Sequence, residues 1–568
     1  MKFKKLLYMG VAGLLTLSSC NDFLDKLPDN RVPLDETTTP TQLLLMLVNG
    51  YSVGNYAKYC EFSSDNIVDN NSPDPSTGIR YNLPADQPLD NEIFAWEEPK
   101  SDDMQQDSPY MIWEQSYHSI AVANHVLQAI ADIRAAGNDK SMTEEDQAKL
   151  DAAYGEALVI RAYNHFVLVN IFAQHYAGPE ASKNLPGIPY MDKVEDKVSV
   201  QYARQSVAEV YDRIEADMLE GMKHLNDGVY SQPKYHFTTT AANAFASRFY
   251  LFKRDYPKVE EYATAALGSN PEQMMRTYWN QTYSNIQADI HAYISASSNS
   301  NLLLVPTTSA FTVSVLGTRY QCNREAKDAT IGGEGPTWNT NFHPCYSGRL
   351  YYSGNQDYGS WLPKLYWLFE YTDKVAGIGY GHIVRTEFTA EEVLLERAEA
   401  RIFMNNLPGA VADLKIWDDA RKKLPIKTDG LFVDLTDAVI NNWYAPSKAS
   451  SRHGLLAPLN IDQVNSESQY KLSENMLPYL WCVLHFRRHE TIFEGLRWFD
   501  IKRFGIEITH NIGRDRVETL KLGDPRRALQ IPSAVINAGI EQNDRFPSSN
   551  AKAAPYELSQ EKLVIVRK

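Results

Sequence analysis

Residues 488–505 read RHETIFEGLRWFDIKRFG, and this stretch is the most informative part of the chain about its fold. Glu490, Glu494 and Arg497 lie four and three positions apart, so on one helix their carboxylates and guanidinium would pair. The aromatic rings, Trp498 among them, are expected to pack inside the protein. We therefore interpret the stretch as structural rather than as a binding site.

Helical patterns precede this stretch along the chain. Apolar residues recur every three or four positions in segments that predict amphipathic helices: residues 110–133, 150–176, 240–252, 256–267, 390–405 and 408–423. The last four form two pairs joined by short links, and small residues such as Ala242 and Ala398 allow close helix contacts. The pairs resemble irregular tetratricopeptide-type hairpins. These helical pairs are either a scaffold that binds another protein or plain helical packing. Periodicity alone supports the two interpretations equally.

The N-terminus is typical of an exported lipoprotein. A basic start, an apolar stretch over residues 6–17 and two serines precede Cys20. A permanent membrane helix needs roughly 20 apolar residues, so this stretch is too short to be one. The four residues ending at Cys20 resemble a bacterial lipobox, which predicts removal of residues 1–19 and a lipid anchor on Cys20. Residues 20–40 then form a tether, and residues 41–568 form a single domain.

That domain divides into helical and loop-rich parts. The helical repeats are predicted at about 110–270 and 390–505. The segments at about 52–100 and 274–381 are dense in Gly, Pro, Ser, Asn and aromatic residues. Long loops are unusual in a compact domain unless they have a function, so the ligand site is expected there.

The composition excludes some classes of partner. A net charge of −15 disfavours nucleic acid, which proteins hold through basic contacts to phosphates. Cysteines are sparse and lack zinc-type spacing. Cys322 and Cys345 either form a disulfide or stay as thiols, and spacing does not decide between them.

No catalytic or metal motif is complete. Residues 489–493 begin like a zinc-protease helix but place Phe493 where the second histidine must stand. His485 and His489 lie four apart without a third metal ligand. Residues 377–381 (GIGYG) lack the spacing of a dinucleotide-binding loop. We therefore expect no catalytic residue, no metal ion and no cofactor.

Aromatic residues interleaved with polar ones give the positive signal for function. Flat rings beside amide, guanidinium and carboxylate groups suit a sugar, which has apolar C–H faces flanked by hydroxyls. Packing of these rings onto the helices is the alternative for any one of them. The candidate ligand-binding residues are Trp96, Trp338, Asn339, Phe342, Tyr346, Arg349, Tyr351, Tyr352, Tyr358 and Trp361.

Several motifs together resemble the SusD and RagB-like nutrient-binding outer-membrane lipoproteins of Bacteroidetes, from residue 20 to about residue 546. The matching segments are residues 20–28, 155–163, 240–251, 391–400, 488–505, 531–532 and 542–543. Two positions depart from the family pattern: Gln530 stands where proline is usual, and Val535 replaces an expected acidic residue.

The resemblance implies a mostly α, SusD-like single domain with long irregular loops that carry the ligand site. It implies a non-enzymatic lipoprotein, anchored in the outer membrane and facing outward. Such a protein captures an oligosaccharide and acts as a lid on a SusC-like TonB-dependent transporter. Peptide capture for a RagA-type transporter is the alternative, and a surface hydrolase is a third.

Overall fold

The computed structural model describes residues 38–50, 55–74, 77–100, 105–195, 202–277, 285–338, 351–352, 359–362, 364–421, 433–451 and 457–545. The expected signal peptide, Cys20 and nearly all of the tether lie outside these ranges. Within the ranges, no helix has both the length and the apolar composition that crossing a membrane requires.

The architecture is mostly helical, as expected. The helices, in chain order, are α1 (Pro40–Gly50), α2 (Ala57–Phe62), α3 (Pro88–Phe94), α4 (Pro109–Ala136), α5 (Glu144–Phe172), α6 (Val207–Met222), α7 (Thr239–Lys253), α8 (Tyr256–Leu267), α9 (Ile286–Tyr293), α10 (Phe311–Ser314), α11 (Arg324–Asp328), α12 (Ala390–Phe403), α13 (Leu407–Arg421), α14 (Asp437–Trp443), α15 (Ile461–Asn465), α16 (Leu477–Thr491), α17 (Leu496–Arg503) and α18 (Ser533–Asn537).

The strands are short apart from one. In chain order they are β1 (Val68–Asp69), β2 (Asn301–Thr307), β3 (Tyr320–Gln321), β4 (Tyr351–Tyr352), β5 (Ser360–Trp361), β6 (Leu368–Asp373), β7 (Ile378–Thr389), β8 (Ile508–Ile512) and β9 (Arg516–Leu520).

The six predicted long helices are confirmed as α4, α5, α7, α8, α12 and α13. Their ends follow ordinary capping chemistry. The Ser108 hydroxyl accepts a hydrogen bond from the backbone N–H of Met111 at the start of α4, and Gly137 ends that helix in the left-handed conformation. The Thr143 hydroxyl caps α5 in the same way.

The long helices pack side by side in sequence, α4 on α5, α5 on α6, α7 on α8, and α8 on α12, which also contacts α13 and α16. Small residues permit the closest approach. At the crossing of α5 and α6, a methyl group on Gly155 would lie 2.6 Å from the backbone oxygen of Gly221. The buried apolar side chains form one continuous core.

A three-stranded antiparallel sheet, in the order β2–β7–β6, projects from the helices. The second half of β7 pairs with β2 and is buried, while its first half pairs with β6 and is partly exposed. The chain then passes directly into α12, which Thr389 caps through its hydroxyl. The hairpin of β6 and β7 therefore extends beyond the core while its base is held by β2 and α12.

The structure of residues 488–505 differs from the prediction. It is two helices, because α16 ends at Thr491 and α17 begins at Leu496, with Gly495 at φ +85° between them. Consequently Glu490 and Glu494 do not pair with Arg497, and that prediction is wrong. The packing of Trp498 inside the protein is confirmed, since its side chain is fully buried.

Each of the three charged groups finds a partner elsewhere in the chain. Glu490 pairs with Arg421 of α13. Glu494 lies 3.1 Å from the ammonium of Lys364, and Arg497 binds the Asp65 carboxylate at 2.8 Å. These contacts join distant segments and hold α16 and α17 in the core.

Candidate functional site

The three tryptophans that the sequence suggested as ligand contacts lie in the core. Trp96, Trp338 and Trp361 are all buried. The indole N–H of Trp96 donates to the backbone oxygen of Ser63 at 3.0 Å, and that of Trp338 donates to Gly333 at 3.1 Å. In this conformation none of the three rings offers a face to solvent.

The other candidates from the sequence are described only in part. Tyr351 and Tyr352 form β4, which pairs with β5, and only their backbone is described. Five candidates lie outside the described residues: Asn339, Phe342, Tyr346, Arg349 and Tyr358. Their contact with a ligand stays a prediction. Cys322 is buried, and Cys345 lies outside the described residues.

The structure places a different set of rings at the surface. Trp367 precedes β6, and Phe369 and Tyr371 lie on it, at alternate positions that point to one face of the strand. Their side chains are 42%, 40% and 52% exposed. Large exposed apolar patches on soluble proteins mark binding sites. We call Trp367, Phe369 and Tyr371 the aromatic platform.

The rings of the aromatic platform contact one another in a row. The centroids of Trp367 and Phe369 are 5.7 Å apart with an interplanar angle of 44°. Phe369 and Tyr371 are 4.9 Å apart in an edge-to-face arrangement at 73°. Aromatic pairs favour such tilted geometries, so the rings support each other's orientation before any ligand arrives.

Glycines of β7 lie beneath these rings. Phe369 pairs with Gly381 and Tyr371 pairs with Gly379, so no β7 side chain rises on this face at those positions. The indole of Trp367 lies against Gly381, where a methyl group would be only 2.1 Å from the indole nitrogen. One side of that indole therefore packs against the hairpin at Gly381, while 42% of the Trp367 side chain stays exposed.

The opposite face of the hairpin is polar. The Tyr380 hydroxyl, on β7, donates to the Glu370 carboxylate at 3.1 Å, and this hydrogen bond together with the carboxylate charge raises the pKa of Tyr380. His382 lies 4.0 Å from the same carboxylate. Tyr380 is 52% exposed, as Tyr371 is, but it does not belong to the aromatic platform.

The chemistry available at the aromatic platform is binding. Its flat rings would bury apolar surface on contact with a ligand, and Tyr371 adds a hydroxyl. No group of three His, Cys, Asp or Glu side chains with the geometry to hold a metal ion occurs in the part of the chain that the structure describes.

A sequence signal for the aromatic platform existed but was weak. Residues 367–371 (WLFEY) alternate aromatic with other side chains, and Gly379 and Gly381 repeat with the same period of two. Those two glycines also lie in residues 377–381 (GIGYG), which lack the spacing of a dinucleotide-binding loop. Strand pairing is what places the glycines under the rings.

Comparisons with known proteins agree with the fold. Residues 22–251 match the SusD-like_3 family, described as "Starch-binding associating with outer membrane". A SusD superfamily protein from Bacteroides thetaiotaomicron is 17% identical with a TM-score of 0.59, over 89% of this chain and all of that one. A putative sugar binding protein from Bacteroides vulgatus is 16% identical with a TM-score of 0.54, over 91% of this chain and all of that one.

A laminarin binding SusD-like protein is 15% identical with a TM-score of 0.50, over 89% of this chain and 98% of that one. No curated protein matches the sequence. Residues 22–251 therefore match a SusD-like family, and the chain shares the fold of solved SusD-like structures. Two of these structural relatives are described by what they bind, one as a putative sugar binding protein and one as laminarin binding.

Proposed function

We propose that this protein is a cell-surface glycan-binding lipoprotein and that the aromatic platform is a ligand contact. The observation that carries the proposal is the row of exposed rings at Trp367, Phe369 and Tyr371. Stacking a sugar's C–H face on such rings removes apolar surface from water on both partners, at about 25 cal/mol per Å².

The descriptions of the relatives support the choice of ligand class. The matching family is described as starch-binding, and one structural relative as laminarin binding. The same family description names association with the outer membrane, which fits a lipid anchor on Cys20. Delivery of the captured oligosaccharide to a SusC-like TonB-dependent transporter completes the proposal.

A binding screen tests the ligand class. Purified protein is screened against soluble glycans and against peptides, and any ligand found is titrated by calorimetry with Trp367→Ala and Tyr380→Ala. Trp367→Ala is expected to weaken glycan binding roughly 10-fold or more, the equivalent of about 1.4 kcal/mol. Tyr380→Ala removes an equally accessible ring from the other face and is expected to leave the affinity unchanged.

Each contrary result is informative. Binding of peptides alone would replace the glycan proposal with the peptide alternative. Equal loss in both variants would mean that the hairpin matters as a whole rather than through its aromatic platform.

The transporter partnership needs its own measurement. Co-purification of the lipid-anchored protein from outer membranes is expected to bring a TonB-dependent barrel with it. Recovery of the protein without any barrel under mild detergent conditions would contradict this part of the proposal.

A further inference from the structure

Gly381 lies on β7, beneath the rings of the aromatic platform. A methyl group on Gly381 would lie 2.1 Å from the indole nitrogen of Trp367 and 2.3 and 2.4 Å from two carbons of the same ring. Real carbon contacts are never this short, so the indole and this methyl group cannot occupy the hairpin together. The three nearest atoms all belong to Trp367, whose side chain is able to rotate away.

The physical reason for glycine at position 379 is different. A methyl group there would lie 2.1 Å from the backbone oxygen of Glu370, so its small size is required by the neighbouring strand itself. At Gly381 the three nearest atoms all belong to a side chain, and its φ lies outside the left-handed region that favours glycine. A β-strand otherwise gains little from glycine, which packs no side chain and loses entropy on folding. Contact with the indole is therefore the physical reason for glycine at position 381.

We infer that Gly381 is a positioning residue for the ligand site: it lets the Trp367 indole pack against the hairpin while the rest of the ring stays open to a ligand. The inference rests on the proposed function. A ring that is already held in its binding orientation loses less entropy on binding, so the position of the indole contributes to affinity.

The test is a double-mutant cycle in glycan binding with Gly381→Ala, Trp367→Ala and the double variant. Gly381→Ala is expected to weaken binding roughly 3- to 10-fold by displacing the indole. In the Trp367→Ala background the added methyl group has no ring to displace, so the double variant is expected to bind like Trp367→Ala. A further loss in the double variant would show a general distortion of the hairpin and overturn the inference.

A second measurement does not depend on detectable binding. Mass spectrometry of the oxidised protein reports how accessible Trp367 is, and Gly381→Ala is expected to raise its oxidation because the side of the indole that packs against the hairpin becomes exposed. Unchanged oxidation would overturn the inference. If Trp367→Ala itself leaves glycan affinity unchanged, the proposed function at the aromatic platform fails, whereas a loss in that variant without a loss in Gly381→Ala refutes the role of Gly381 alone.

Discussion

Single buried charges hold distant segments of this protein together. Glu61, in α2, is fully buried, and its carboxylate accepts hydrogen bonds from the Asn66 side chain and from the backbone N–H of Gly495, both at 2.9 Å. Burial nevertheless raises the pKa of Glu61 to about 7, because loss of hydration outweighs these contacts. Near neutral pH this carboxyl group is therefore close to its titration point.

Glu61 predicts a particular dependence of stability on pH. The pKa of Glu61 in the folded protein lies above the ordinary value of 4.5. The stabilising contribution of its protonated form to the free energy of unfolding is therefore complete below about pH 4.5 and is lost as the pH rises through about 7. Glu61→Gln cannot titrate, so its free energy of unfolding is expected to change less between pH 5 and pH 8 than that of the parent, by up to about 3 kcal/mol. Urea unfolding at both pH values measures the difference. Equal changes in the two proteins would contradict this assignment.

The burial of these tryptophans explains why the local sequence did not predict which rings are exposed. Trp96 and Trp338 stand among polar residues and glycines, which favoured an exposed position. Each finds a backbone oxygen for its indole N–H, at Ser63 and Gly333, so the ring is buried without losing a hydrogen bond. Those acceptors come from the folded chain and no local pattern reveals them.

At the scale of elements, periodicity predicted the helices well. The α8 helix begins and ends at the predicted residues, and α4 differs by one residue at its start and three at its end. The break between α16 and α17 was missed because residues on both sides keep helical spacing. Only Gly495 signals it, and its role depends on contact with α2.

The glycine between α16 and α17 is expected to be sensitive to substitution. Gly495 has φ +85°, and a methyl group there would lie 2.9 Å from the backbone Cα of Ala57. Gly137 has a similar φ of +75° at the end of α4 but nothing within 4 Å. Gly137→Ala is therefore expected to cost about 1 kcal/mol for backbone strain alone, and Gly495→Ala roughly 2–4 kcal/mol because strain and a clash combine.

Chemical denaturation of the two variants measures this difference. Gly137→Ala serves as the control for the left-handed backbone conformation, so any excess in Gly495→Ala reports the contact between α17 and α2. Equal losses of stability would show that this contact adds nothing.

At the scale of the whole molecule, the helices support the hairpin of β6 and β7 at its base, where β7 runs into α12. β7 is buried where it pairs with β2 and exposed where it pairs with β6. The aromatic platform therefore stands on a strand whose other end is fixed in the core. Sites built on rigid elements hold their geometry better than sites on free loops.

The sequence predicted the class of fold and a range that contains the proposed ligand surface, but not which of its rings are exposed. Aromatic content and loop composition pointed to residues 274–381, and the aromatic platform lies inside that range. Trp361 and Trp367 are only six positions apart, yet the first is buried and the second exposed. Which ring faces solvent depends on strand pairing with β7, and that pairing is a tertiary property.

The account stands or falls on whether the aromatic platform contacts the glycan. Oxidative footprinting with mass spectrometry measures it directly, by comparing modification of Trp367, Tyr371 and Tyr380 with and without the bound glycan. Protection of Trp367 and Tyr371 with no change at Tyr380 is the predicted result, since the two tyrosines are equally exposed on opposite faces. Binding that leaves Trp367 and Tyr371 unprotected would contradict the account.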